Sequence, residues 1–88
     1  MAKAVKVALY YLPELDTLDL WIDDSEKERE AVPIGDNVIV KLDEQGRPIG
    51  VEILSLEKLG IDDVKKLPEE LRKALLDALK KLSQGLVQ

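Results

Sequence analysis

Apolar and polar residues alternate with period two in two stretches of this chain, and past residue 60 the apolar period lengthens to three and four. In the stretch from Asn37 to Leu56, Val38, Val40 and Leu42 alternate with Ile39, Lys41 and Asp43. Beyond Gln45-Gly46, Ile49, Val51 and Ile53 alternate with Gly50, Glu52 and Leu54. Period two predicts strands, and a glycine between them accepts the positive φ of a tight turn. A three-residue loop closing at Gly46 would set Val38 and Val40 opposite Glu52 and Gly50. An even loop sets Leu42 opposite Ile49, Val40 opposite Val51 and Val38 opposite Ile53. A slip of one residue turns every side chain to the other face, so the pattern predicts the even loop. Lys41 and Glu52 then lie diagonally on the opposite face, within reach of an ion pair.

The earlier stretch reads the same way. Ala4–Tyr11 predicts one strand and Leu18–Asp23 a second, joined by Pro13-Glu14-Leu15-Asp16, with Pro13 preset for a turn. This pairs Tyr11 with Leu18, Leu9 with Leu20 and Val7 with Ile22 on an apolar face. Lys6 meets Asp23, Ala8 meets Trp21 and Tyr10 meets Asp19 on the other. The charged run Asp24–Glu30 reads as a solvated loop or an exposed strand extension. Glu28–Ile34 leaves room for a short edge strand, where Pro33 is tolerated. From Ile61, the residues Val64, Leu67, Leu71, Leu75, Ala78 or Leu79, Leu82 and Leu86 recur at helical spacing. Pro68 suits a first helical position, Glu69 and Glu70 the positive end of the dipole, Lys80 and Lys81 the negative end, and Gly85 a stop. Leu76 falls off the stripe and marks a wider buried face or a partner contact. The sum is one α+β domain, residues 1–88. Residues 1–56 form an antiparallel β-meander of about four strands in two hairpins, and residues 57–88 form a helical segment whose amphipathic helix packs on the apolar face.

Composition narrows the chemistry. Cysteine and histidine are absent, which removes a disulfide framework, thiolate metal sites and the commonest general base. Residues 1–60 carry 7 basic and 13 acidic side chains, and residues 61–88 carry 6 and 5. An acidic sheet region repels phosphate backbones, so no nucleic-acid partner is expected. No apolar run nears the ~20 residues that span a bilayer, so no membrane partner is expected. No signal peptide is visible, and the chain reads as cytoplasmic. High charge and a single methionine also fit a heat-adapted source.

Two groups of residues resemble a known family. Val38-Ile39-Val40, Asp43, Gly46, Gly50 and Glu52-Ile53-Leu54 form the first, and Tyr11, Pro13-Glu14, Asp16, Leu18 and Ile22 the second. Together, over roughly residues 5 to 56, they resemble the small family filed as domain of unknown function 2283. This chain departs from the family pattern at Asp19, where relatives carry an aromatic or apolar residue, and at Leu12, where aspartate is usual. The resemblance implies a compact sheet domain with no established activity. Neighbouring genes for toxin-like proteins in some relatives imply an antitoxin role.

Candidate chemistry is sparse. Asp16, Asp19, Asp23, Asp24, Asp36 and Asp43 offer oxygen ligands for a hard cation, which would make a metal-dependent enzyme. Asp16 and Asp43 fall in turns, where aspartate caps its own backbone, so no metal ligand is assigned. Ser25, Ser55, Ser83 and Thr17 lack a histidine or a placed lysine to activate them, and the glycines have no phosphate-loop spacing. No catalytic residue and no cofactor are therefore expected. The sheet face away from the helix carries Tyr10, Trp21, Ile39 and Leu54, and aromatics are enriched at interface hot spots. These four predict a contact surface of a non-enzymatic interaction module that self-associates as a homodimer. The alternative partner is a basic toxin-like protein, attracted by the acidic first 60 residues.

Overall fold

The computed structural model describes residues 7–87, with side chains described as far as residue 83. Its strands are β1 (Ala8–Leu12), β2 (Thr17–Trp21), β3 (Glu30–Ile34), β4 (Val38–Leu42) and β5 (Pro48–Ile53). Two helices follow, α1 (Ile61–Lys65) and α2 (Glu69–Val87). The fold is α+β with a five-stranded antiparallel sheet in the order β1-β2-β5-β4-β3. This is one strand more than the four expected. Glu30–Ile34 forms a full ladder with β4, because Val32 and Ile34 fall opposite Val40 and Val38 and extend the apolar face. Pro33 sits on that edge strand, where its missing N–H breaks no ladder.

The connectivity is a Greek key rather than a simple meander. The segment after β2, with a 3₁₀ turn at Ser25–Lys27, carries the chain to the far edge, and β5 returns to lie between β4 and β2. The most deeply buried strand needs neighbours on both sides. β5 meets that description, since Ile49, Gly50, Val51 and Ile53 are all buried.

In the first hairpin Leu9 faces Leu20, Tyr11 faces Leu18, Ala8 faces Trp21 and Tyr10 faces Asp19, as the alternation requires. The ladder begins at Ala8 and ends at Trp21, so Val7 and Ile22 do not extend it; the Ile22 N–H donates to the Ile49 carbonyl at 2.8 Å. The expected start at Ala4 and the Lys6–Asp23 pair lie outside the described residues.

The second hairpin resolves a conflict between turn and pattern. Val38 faces Ile53 and Val40 faces Val51, as expected, but Leu42 faces Pro48 and not Ile49. The turn itself takes the odd loop. The Asp43 N–H donates to the Arg47 carbonyl at 2.9 Å, the Gly46 N–H to the Asp43 carbonyl at 3.0 Å, and Gly46 has φ 78°. Continued unbroken, that loop would put Val40 opposite Gly50. A β-bulge at Ile49 absorbs one extra residue, sets Lys41 opposite Gly50 and restores the apolar pairing beyond it.

The register now lines up one face across all five strands. Leu9, Leu20, Val51, Val40 and Val32 form one row, and Tyr11, Leu18, Ile53, Val38 and Ile34 the next. Leu67, Leu71, Leu75 and Ala78 join the buried cluster of this face. α2 starts where Pro68 ends the preceding turn, and the Arg72 N–H donates to the Pro68 carbonyl at 2.9 Å. Expectations for this segment fail at Ile61 and at Gly85. Ile61 is 74% exposed, at the first position of the short α1. Leu76 is 51% exposed, which removes the wider buried face and leaves the partner contact of the two readings offered for it. Gly85 does not stop α2, which continues to Val87; glycine inside a helix costs about 1 kcal/mol and does not by itself end one. Among the described residues, no helix is long and apolar enough to cross a membrane.

Candidate interaction surface on the uncovered side of the sheet

Alternation along each strand leaves a second face without a helix. One row across it reads Tyr10, Asp19, Glu52, Ile39 and Pro33, and the adjacent row reads Ala8, Trp21, Gly50, Lys41 and Ala31. Of the four expected contact residues, Tyr10, Trp21 and Ile39 therefore share this face. Leu54 follows directly after β5, with its N–H held by the Asn37 carbonyl at 3.0 Å.

The four differ in what they leave open. Trp21 lies against Gly50: a Cβ at residue 50 would stand 2.5 Å from the Trp21 Cε3 and 2.9 Å from Cζ3. Glycine is required there because the indole occupies the space of a side chain. The Lys41 ammonium is 6.0 Å from the ring centroid, in cation–π range. The same ammonium reaches Glu28 at 3.3 Å and Glu52 at 3.5 Å, the latter the diagonal pair expected from the pattern. Trp21 is thus half-buried and already used within the chain, and Ile39, two strands away on the same face, is half-buried as well. Tyr10, at 61%, and Leu54, at 42%, stand open.

Other residues of the first hairpin are more exposed than Ile39. Leu12 and Leu15 are each at least half exposed, and so is Val7, which was expected on the apolar face but precedes the ladder. Leu12 shares the parity of Tyr10 and falls on the uncovered face. That parity was the available signal.

Charge on this face is unbalanced. Asp19 stands directly opposite Glu52. Burial raises the pKa of Asp19 above the usual aspartate value, Glu52 raises it further, and Lys41 partly offsets both. A raised folded pKa means that the ionised form is disfavoured in the fold. The penalty is present above the folded pKa and disappears as pH falls below the ordinary carboxylate range. Asp19→Asn should therefore stabilise the chain at pH 7 by about 0.2–1 kcal/mol, the range for like charges directly opposed. The gain should vanish in melts at about pH 3, where both states carry a neutral side chain. Equal melting temperatures of the two chains at pH 7 would contradict this account.

The turn aspartates do structural work. Asp16 takes a left-handed φ of 58°. Its Oδ1 accepts from the Tyr11 hydroxyl at 3.1 Å, and its Oδ2 from the Glu57 N–H at 2.7 Å and the Ser55 hydroxyl at 3.2 Å. The Glu57 amide, Tyr11 and Ser55 together outweigh desolvation and hold the Asp16 pKa below its usual value. The turn of the first hairpin is thereby tied to the chain leaving β5. Asp43 is buried and accepts from the N–H groups of Arg47 at 2.8 Å and Gln45 at 2.9 Å, and from the Arg47 guanidinium at 3.2 Å. These donors, the Arg47 amide foremost, lower its pKa. Asp24 accepts from the Glu26 N–H at the start of the 3₁₀ turn, and Asp23 pairs with Lys27 at 3.3 Å. Among the described residues, no three acidic side chains converge to hold a metal ion. An open groove of about 750 Å³ runs from Tyr10 and Trp21 past Lys27 to Arg47 and Pro48. Its basic walls are engaged by Asp23 and Asp43.

Compared with known proteins, residues 9–56 match the family described as Protein of unknown function (DUF2283). The matched span covers the turn tied by Asp16, the bulged hairpin and the Trp21–Gly50 contact. No curated protein and no solved structure matches the chain.

Proposed function

This chain belongs to the DUF2283 family, and from that premise we propose that it is a non-enzymatic protein-interaction module that works as a homodimer through the uncovered side of its sheet. The observation that carries the reading is the pair of open apolar side chains Tyr10 and Leu12 on the uncovered face of the edge strand β1, with Leu15 open in the turn that follows. Large apolar side chains left open along one strand favour association over solvation. Two copies that share it also relieve the thin core of an 88-residue chain. Of the four contact residues expected from the sequence, Tyr10 and Leu54 contribute open surface, while Trp21 and Ile39 support the face from within.

Tyr10→Glu tests the reading, because it places a charge at the open centre of the patch without touching the Trp21–Gly50 contact. Light scattering should give twice the 9.9 kDa chain mass for the parent protein and the single mass for the variant. A parent protein of single mass, or a variant that remains dimeric, would contradict it.

A second reading rests on the charge of the same face. Asp19 and Glu52 oppose each other and share Lys41 with Glu28. A basic partner protein set against them would remove that repulsion, as an antitoxin-like regulator does for a basic toxin. Co-purification with a basic protein from the native host, lost on Asp19→Asn with Glu52→Gln, supports this reading; purification alone counts against it.

A further inference from the structure

The two edges of the sheet are built differently. β3 carries Pro33 near its centre and Glu30 at its start, two devices that discourage another strand from adding. β1 reads ALYYL, without a charge, a proline or a glycine, in a chain that is 35% charged. Its backbone groups can be assigned by following the ladder. The Ile22 N–H donates to Ile49, so the even residues of β2 turn toward β5 and the odd residues toward β1. Thr17, Asp19 and Trp21 thereby bond to Leu12, Tyr10 and Ala8, which directs the N–H and C=O groups of Leu9 and Tyr11 outward.

We infer that β1 is the self-association site: a second copy of this chain adds its own β1 antiparallel, joining two sheets across a twofold axis at Tyr10. This deepens the homodimer reading above and rests on it. The register follows from the groups to be satisfied. Leu9 of one copy pairs with Tyr11 of the other, so each outward N–H meets an outward carbonyl. Tyr10 then faces Tyr10, and Ala8 faces Leu12. Pro13, which has no N–H, ends the ladder. The open side chains of Tyr10 and Leu12 line the seam. Leu76, exposed on the helix, takes no part.

The chain has no cysteine, so a single introduced one reports geometry cleanly. Directly opposed residues at a non-hydrogen-bonded position have Cα atoms about 4.5 Å apart, within disulfide reach, whereas sheets packed face to face stand about 10 Å apart, beyond it. Tyr10→Cys should give a covalent dimer under mild oxidation, and Leu76→Cys should not. A second variant that keeps Tyr10, with Ala8→Cys and Leu12→Cys together, should cross-link in the same register. Dimeric mass in solution with no cross-link in either β1 variant would overturn edge pairing and leave the homodimer standing. Single mass for the parent chain would overturn both. Equal cross-linking of Leu76→Cys would show collision in place of pairing and overturn the assignment.

Discussion

Gly50→Ala should destabilise this chain by about 1–3 kcal/mol, the usual cost of forcing a methyl group into occupied space. The occupant is the Trp21 ring, which would stand 2.5 Å from the new Cβ. The ring cannot yield without loss. Its inner face rests on the backbone of β5, and Lys41, bound to Glu28 and Glu52, lies 6.0 Å from its centroid. Displacement breaks the packing between the two hairpins at the point where Trp21 and Gly50 face each other across β2 and β5. Urea unfolding gives the energy. Emission from Trp21, the single tryptophan, should shift to longer wavelength as the ring enters water. In the Trp21→Ala background the same alanine should cost much less, because its obstacle is gone. An unchanged midpoint and unchanged emission would remove the close approach from the account.

The second large effect lies on the covered face. Leu71→Ala should cost about 2–5 kcal/mol, the range for emptying a leucine site in a packed core. Leu71 is fully buried, in one cluster with Leu18, Leu20, Val51 and Ile53. Domains of this size hold roughly 0.05–0.15 kcal/mol per residue, so the loss is a large fraction of the total. Leu76→Ala, five residues along the same helix but half exposed, should change stability by less than about 0.5 kcal/mol. Urea midpoints of the two variants check the assignment of faces. Equal losses would mean that α2 turns a different side to the sheet.

Alternation made both hairpins legible because side-chain period is a local property. Leu9–Leu20 and Val40–Val51 could be paired from spacing alone. The bulge was hidden because two local signals disagreed. Gly46 asked for an odd loop and the apolar pattern for an even register, and reading either one left no place for an extra residue at Ile49. Glu30–Ile34 was only half legible as a strand, since the charged run before it and Pro33 within it dilute the pattern. The order of the strands was not legible at all, because nothing local says which edge of one hairpin meets the other. That ignorance hid what lies beneath Trp21. Read within its own hairpin it is an aromatic on an open face; only the pairing of β2 with β5 brings Gly50 beneath it. The exposed side chains at Val7, Leu12 and Leu15 were visible as letters but meant little until β1 proved to be an edge.

The account centres on self-association, and the mass of the parent chain over a dilution series tests it most directly. A strand-to-strand seam of five residues is small for an interface, so the dimer should come apart at low concentration. Sedimentation should show twice the 9.9 kDa chain mass when concentrated and the single mass when dilute. A single mass at every concentration would contradict the account.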